Sequence, residues 1–145
     1  MSTRQLPTTI ASRGNESLDS YLVRLGHANA MPVAGAGGIL DYRALHVPQN
    51  RTTADVAGVR TPSQIIELVA DRAGLDIVEV VDLTMRRYSI DGRTGPNTRL
   101  PWRAPHATAI CPACIIDDPY CRLSWRLPQA IHCPEHHQLL HRWCP

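Results

Sequence analysis

Apolar positions recur at three- and four-residue steps through Leu18, Tyr21, Leu22, Leu25 and Ala28, the spacing that lines one face of an α-helix. A polar cap at Asn15-Glu16-Ser17 and an acidic first turn predict where that helix starts, and Met31-Pro32 predicts where it ends. Residues 1–14 show no such period and read as a disordered lead-in. The run Val33-Ala-Gly-Ala-Gly-Gly-Ile39 has no Gly-Lys-Ser/Thr continuation and no strand pattern before it, so it reads as a connector and not as a phosphate loop. Leu40–Leu45 fits a short helix ahead of the polar stretch His46–Arg60.

A second periodic stretch opens at Thr61-Pro62-Ser63-Gln64, with threonine as cap, proline at the first helical position and glutamine three residues after the cap. Ile65, Leu68, Val69 and Ala73 supply its buried face, and Gly74, which adopts a left-handed conformation cheaply, ends it. Asp76 then caps a further helix, with Glu79 three residues on and Ile77, Val80, Val81 and Met85 facing inward. Joined through Gly74-Leu75-Asp76, the two helices outline a helix-turn-helix over 61–87. DNA-reading modules have this outline, and so do ordinary helical hairpins. The expected outer face carries Val78, Glu79 and Asp82, with basic residues only at Arg86 and Arg87, which argues against direct major-groove readout. DNA contact, if made, falls to Arg86, Arg87 and Arg93.

Ser89–Ala109 is polar and broken by Gly92, Gly95, Pro96, Pro101 and Pro105. It places a linker over 91–109, between a helical part at 15–90 and a C-terminal part at 110–145. In the latter, Cys111-x-x-Cys114 and Cys133-x-x-His136 stand eighteen residues apart. Each pair turns two ligands toward one point from a single tight bend, and two such knuckles complete a tetrahedron that zinc accepts with no position left for water. Such a site is a staple and not a reaction centre. Buried free cysteines would not explain a proline after the first residue of both knuckles, nor a histidine as fourth member. A redox Cys-x-x-Cys needs a βαβ setting, and the prolines upstream of Cys111 deny it one. A zinc deaminase needs His-x-Glu before its cysteines, whereas Ala107 and Thr108 follow His106. Cys121, His132, His137, His141 and Cys144 lie nearby. Either His132 or His137 is also within reach of the fourth position; His136 is preferred because it completes Cys-x-x-His. Trp102 and Trp125 are expected to pack against the knuckles.

A chain of 145 residues suits one domain, here a mainly α fold with a small zinc-knuckle part. All fifteen basic residues are arginine, yet the net charge of +2 is too mild to demand a nucleic-acid partner. No apolar run approaches a membrane span, the N-terminus has no signal-peptide pattern, and metal-type cysteine spacing fits a reducing compartment. A cytoplasmic location follows as the expectation. With no carboxylate pair, nucleophile–base set or open metal position, no catalytic residue, organic cofactor or small-molecule substrate is expected.

Two segments together resemble the TniQ family of transposition proteins, which includes the TnsD target selectors. Glu16-Ser-Leu-Asp-Ser-Tyr-Leu-Val-Arg-Leu25, with Asn29 following, is similar to the family's Glu-Ser-Leu-x-Ser-Trp-Leu-x-Arg-Leu opening, with Tyr21 where tryptophan is commoner. Cys111-Pro-x-Cys, Ser124-Trp-Arg-Leu-Pro128, Cys133-Pro-x-His, Leu139-Leu140 and Cys144-Pro145 resemble its zinc segment. The resemblance implies Cys111, Cys114, Cys133 and His136 as zinc ligands. It also implies a non-catalytic adaptor that links target DNA or a targeting complex to the transposon's AAA+ ATPase, which positions the transposase. Longer members continue into a second Cys-Pro-x-Cys knuckle, so Cys144-Pro145 reads as the start of a truncated one. The rival expectation is a small zinc-containing helix-turn-helix regulator unrelated to transposition.

Overall fold

The stripe on the first helix decides the packing, because its apolar side chains must leave water together. The computed structural model describes residues 5–31, 61–88, 109–127 and 129–142. In it, α1 spans Leu18–Ala28 and buries Leu18, Tyr21, Leu22 and Leu25. These pack with Ile65, Ile66, Val69 and Ala73 of α2 (Ser63–Ala73), with Val80 of α3 (Ile77–Asp82), and with Leu83. Removing each such side chain from water is worth about 1.5–3 kcal/mol, so this cluster is the main apolar core.

α1 ends in a six-to-one closure. Met31 N–H donates to the Gly26 carbonyl and Ala30 N–H to the His27 carbonyl, with Ala30 at φ 53°. The helix thus ends at Ala28, three residues before Met31, because this motif satisfies its last carbonyls first. Its start also differs from expectation. Ser17 is the cap position but makes no side-chain cap bond, and Asn15 sits at φ 63° with its side chain turned to the C-terminal part.

Residues expected to form part of a disordered lead-in are packed from residue 5 onward. Leu6 and Ile10 lie against the core, and Leu6 N–H donates to the Arg72 carbonyl. Asn29 clasps Thr8 through both amide atoms at 3.0 and 2.8 Å, while the Tyr21 hydroxyl donates to the Ile10 carbonyl at 3.0 Å. Burial pushes the Tyr21 phenol up to about 12. The segment has no periodicity because its order comes from bonds to distant residues.

α2 begins one residue later than expected. The Pro62 carbonyl accepts from Ile65 and Ile66, so Pro62 takes the cap position in place of Thr61. At the other end Gly74 is left-handed, φ 67°, and a Cβ there would stand 2.4 Å from Gln5 Nε2. The long Gln5 side chain can move aside, so backbone strain dominates. Gly74→Ala is expected to lower stability by about 1–2 kcal/mol, read as a lower urea midpoint. An unchanged midpoint would refute the argument.

α3 carries the expected capping box: Asp76 accepts from Val78 N–H, and Glu79 accepts from Asp76 N–H at 3.0 Å. Of the four residues expected to face inward, Val80 is fully buried and Val81 partly so, but Ile77 is 52% exposed. Met85 is buried, though in a 3-10 turn (Met85–Tyr88) beyond the helix. A six-residue helix is too short for periodicity to fix its phase.

The C-terminal part contains α4 (Pro112–Asp117) and a 3-10 turn at Leu123–Arg126. There is no strand among the described residues, only isolated bridges pairing Ile110 with His141, His132 with Leu139 and Glu16 with Arg122. The fold is therefore mainly helical with a small knuckle part. Leu40–Leu45, the Val33–Ile39 run and most of the 91–109 linker lie outside the described residues.

Candidate metal centre

Proline at the first position of α4 fixes φ for helix entry and needs no N–H partner. Cys111 precedes it as the cap residue, and one turn brings Cys114 beneath Cys111. The second knuckle is closed by Cys133 N–H on the Gln138 carbonyl at 2.8 Å and by His137 N–H on the Cys133 carbonyl at 2.9 Å. His137 takes the left-handed conformation, φ 52°, that this reversal requires. Pairing of Ile110 with His141, bonded both ways at 2.8 Å, then folds the second knuckle onto the first.

The result brings Cys111, Cys114, Cys133 and His136 together, their ligand atoms all within 4.8 Å of one another. The Cys114 and Cys133 sulfurs are 3.4 Å apart; His136 Nδ1 is 3.2 Å from Cys114 and 3.7 Å from both Cys111 and Cys133. A tetrahedral ion with metal–sulfur and metal–nitrogen bonds of ordinary length would set these edges at about 3.5–3.8 Å. The cysteines are buried among Ala109, Trp125 and Leu140, which keeps water from the sulfurs.

Charge is distributed unevenly in this group. Burial pushes the Cys133 thiol up, but N–H groups of His136 and Glu135 and the His136 ring pull harder and leave it at about 6. Cys111 likewise ends below its ordinary value, burial being outweighed by the Cys114 N–H and the Gln138 amide, whose Nε2 lies 3.0 Å from its sulfur. Cys114 is pushed up to about 12 by burial and by the two neighbouring sulfurs. Cys133 is thus the sulfur most prepared as a thiolate, and a cation at the centre is what would let Cys114 ionise beside it. This Cys3His group could hold a metal ion.

The knuckle part meets the helices through the turn before α1. Ser17 N–H donates to the Cys121 carbonyl at 2.9 Å, and Cys121 N–H to Ser20 Oγ at 2.9 Å. Leu123 N–H donates to the Asn15 carbonyl; Ser124 N–H donates to Asn15 Oδ1 and Asn15 Nδ2 to Ser124 Oγ at 2.7 Å. Asp19 pairs with Arg126, and Arg13 with Asp118. Beneath this layer Glu16 is fully buried, its Oε2 2.7 Å from Arg24. Residues 15–24 and 121–126 therefore form two faces of one joint.

Compared with known protein families, the chain matches the TniQ family model over residues 7–140. The chain belongs to the TniQ family. No curated protein matches it. Membership associates the protein with transposition.

Other residues singled out from the sequence fall into place around this TniQ site. Trp125 packs on the cysteines as expected, and the Arg122 guanidinium lies 5.6 Å from its ring centre. Cys121 is half-buried in the joint, while His132, His137 and His141 are exposed and stand apart from the group. Trp102, Cys144 and Arg93 lie outside the described residues. Arg86 donates to the Thr61 carbonyl at 2.8 Å, and Arg87 is exposed. Sequence reading missed Asp117, whose Oδ2 lies 2.9 Å from His136 Nε2, and Glu135, which takes both terminal nitrogens of Arg122. Asp117 follows Cys114 by three residues on α4, a helical spacing that signals a shared face. Nothing in the order of residues marks Glu135 or Gln138. Among the described residues no helix is long and apolar enough to cross a membrane.

Proposed function

We propose that the protein is a zinc-stabilised transposition adaptor that acts in the cytoplasm without catalysis of its own. It links target DNA or a targeting complex to the transposon AAA+ ATPase that positions the transposase. Cys111, Cys114, Cys133 and His136 are its zinc ligands. Three sulfurs and an imidazole in a closed, nearly tetrahedral group suit zinc as a structural ion. The observation that carries the reading is the joint between residues 15–24 and 121–126, which turns the knuckles and helices into one rigid surface. A rigid presenting surface is what an adaptor needs.

The rival, a DNA-binding regulator using the α2–α3 pair, is disfavoured by what α3 exposes. Ile77, Val78, Glu79 and Asp82 face solvent there, and Arg86 is engaged within the fold. Phosphate contact calls for the opposite charge.

The test is capture of the transposon's purified ATPase by the zinc-loaded chain, beside titration of a short duplex. Arg87→Gln and Arg93→Gln spare the internal bond of Arg86. The adaptor reading expects ATPase capture unchanged in the double variant. Absence of capture, together with duplex binding whose salt slope falls in the variant, would support the regulator instead.

A further inference from the structure

A metal-binding histidine has two candidate nitrogens, and whatever holds the other one decides which is used. In this chain His136 turns Nδ1 to the three sulfurs and Nε2 outward, where Asp117 Oδ2 stands 2.9 Å away. The two partners come from different knuckles: His136 from the second, Asp117 from α4 in the first. Cys114 and Asp117 are three residues apart on α4, so one helix supplies both a sulfur and the group that aims the opposing imidazole. The Asp117 side chain is 66% exposed, so its removal leaves no buried gap.

We infer that Asp117 is a positioning residue of the metal centre, holding the His136 ring so that Nε2 carries the hydrogen and Nδ1 presents its lone pair to the ion. The inference rests on the zinc reading of the Cys3His group and adds a role for a residue outside it. Accepting the Nε2 hydrogen makes the ring a better donor through Nδ1 and fixes its plane, so the aspartate closes the site from outside. It also ties the knuckles together by a contact independent of the ion.

The experiment measures zinc affinity of the full chain by competition with a chromophoric chelator, for the native protein, Asp117→Ala and Asp117→Asn. Alanine is expected to weaken binding by about 10- to 100-fold. Asparagine keeps an oxygen acceptor and is expected to remain within a few-fold of native. Nitrogen-15 spectra of the zinc-loaded native chain are expected to show His136 protonated at Nε2 and bound through Nδ1, a readout independent of any variant's folding. Native affinity in Asp117→Ala, or a ring bound through Nε2, overturns the role of Asp117 and leaves the metal centre standing. A native chain that takes up no zinc overturns the centre itself and the inference with it.

Discussion

Removing zinc with a chelator is expected to unfold residues 109–142 while the cluster around α1 keeps most of its structure. The knuckle cluster contains Ala109, Trp125, Leu140 and three cysteines, with only partly buried neighbours such as Ile110 and Ile115. Three such apolar side chains supply at most about 1.5–3 kcal/mol each on burial, and ordering each residue costs about 1–2 kcal/mol. Structural zinc in small sites binds with about 10–16 kcal/mol near neutral pH, so a zinc ion held here would stabilise this part far more than its apolar side chains do. Cys133→Ser is expected to have the same effect as chelation, because it removes one of the thiolates that the backbone N–H groups prepare. Hydrogen exchange reads the result locally. Protection of the amides of Cys133, His137 and Leu140 is expected to vanish on chelation, and that of Leu22 and Leu25 to survive. A chain freed of all metal with an unaltered exchange pattern would refute the staple.

What the order of residues makes legible is local. The α1 stripe, the Asp76–Glu79 box and the stop at Gly74 each depend on residues within a turn of one another. The Cys3His group is legible for the same reason, since each knuckle is a single bend and His136 completes the second as Cys-x-x-His. The choice of distant partners is not legible. Asn15 has the pattern of a helix cap, yet it bonds Ser124, 109 residues away. Glu16 has the position of a charge serving the helix dipole, and it is instead a fully buried ion pair. Leu6 and Ile10 carry no period that would mark them as ordered, although they cover the core. Ile77 falls inward by its spacing, but a six-residue helix is too little chain for a period to establish a phase.

The same contacts explain why two separated segments announce the family together. Residues 15–20 and 121–126 touch each other: Ser17 and Ser20 bond Cys121, Asp19 pairs with Arg126, and Asn15 holds Ser124. Asn15, Asp19 and Ser20 answer partners in the other segment through their side chains, and Ser17 does so through its backbone N–H. A substitution in one leaves a buried polar group without its bond in the other, at a cost of about 1–3 kcal/mol. The helical and metal parts therefore constrain each other, and the joint is the place where a change in either would be felt.

Replacing Arg24 with methionine is expected to destabilise the protein by about 3–5 kcal/mol, the penalty for leaving a buried charge without its partner. Glu16 is fully buried, and its Oε1 has no hydrogen-bond partner, so Arg24 and the Arg13 N–H on Oε2 are what compensate its charge. The reverse change is milder. Arg24 retains 22% exposure and also reaches the Ala11 carbonyl, so in Glu16→Gln it can turn to water. That variant is expected to lose only about 1–2 kcal/mol, the value of a charge-assisted bond exchanged for a neutral one. The double variant is expected to be about as stable as Glu16→Gln alone and more stable than Arg24→Met, because the stranded carboxylate is the source of the larger penalty. Urea unfolding of the four zinc-loaded proteins measures this as a double-mutant cycle. Strictly additive losses would mean that the two groups do not depend on each other. The pair would then be an incidental contact, and the joint would be held without it, by its backbone bonds, by Asn15 and Ser20, and by the Asp19–Arg126 and Arg13–Asp118 pairs.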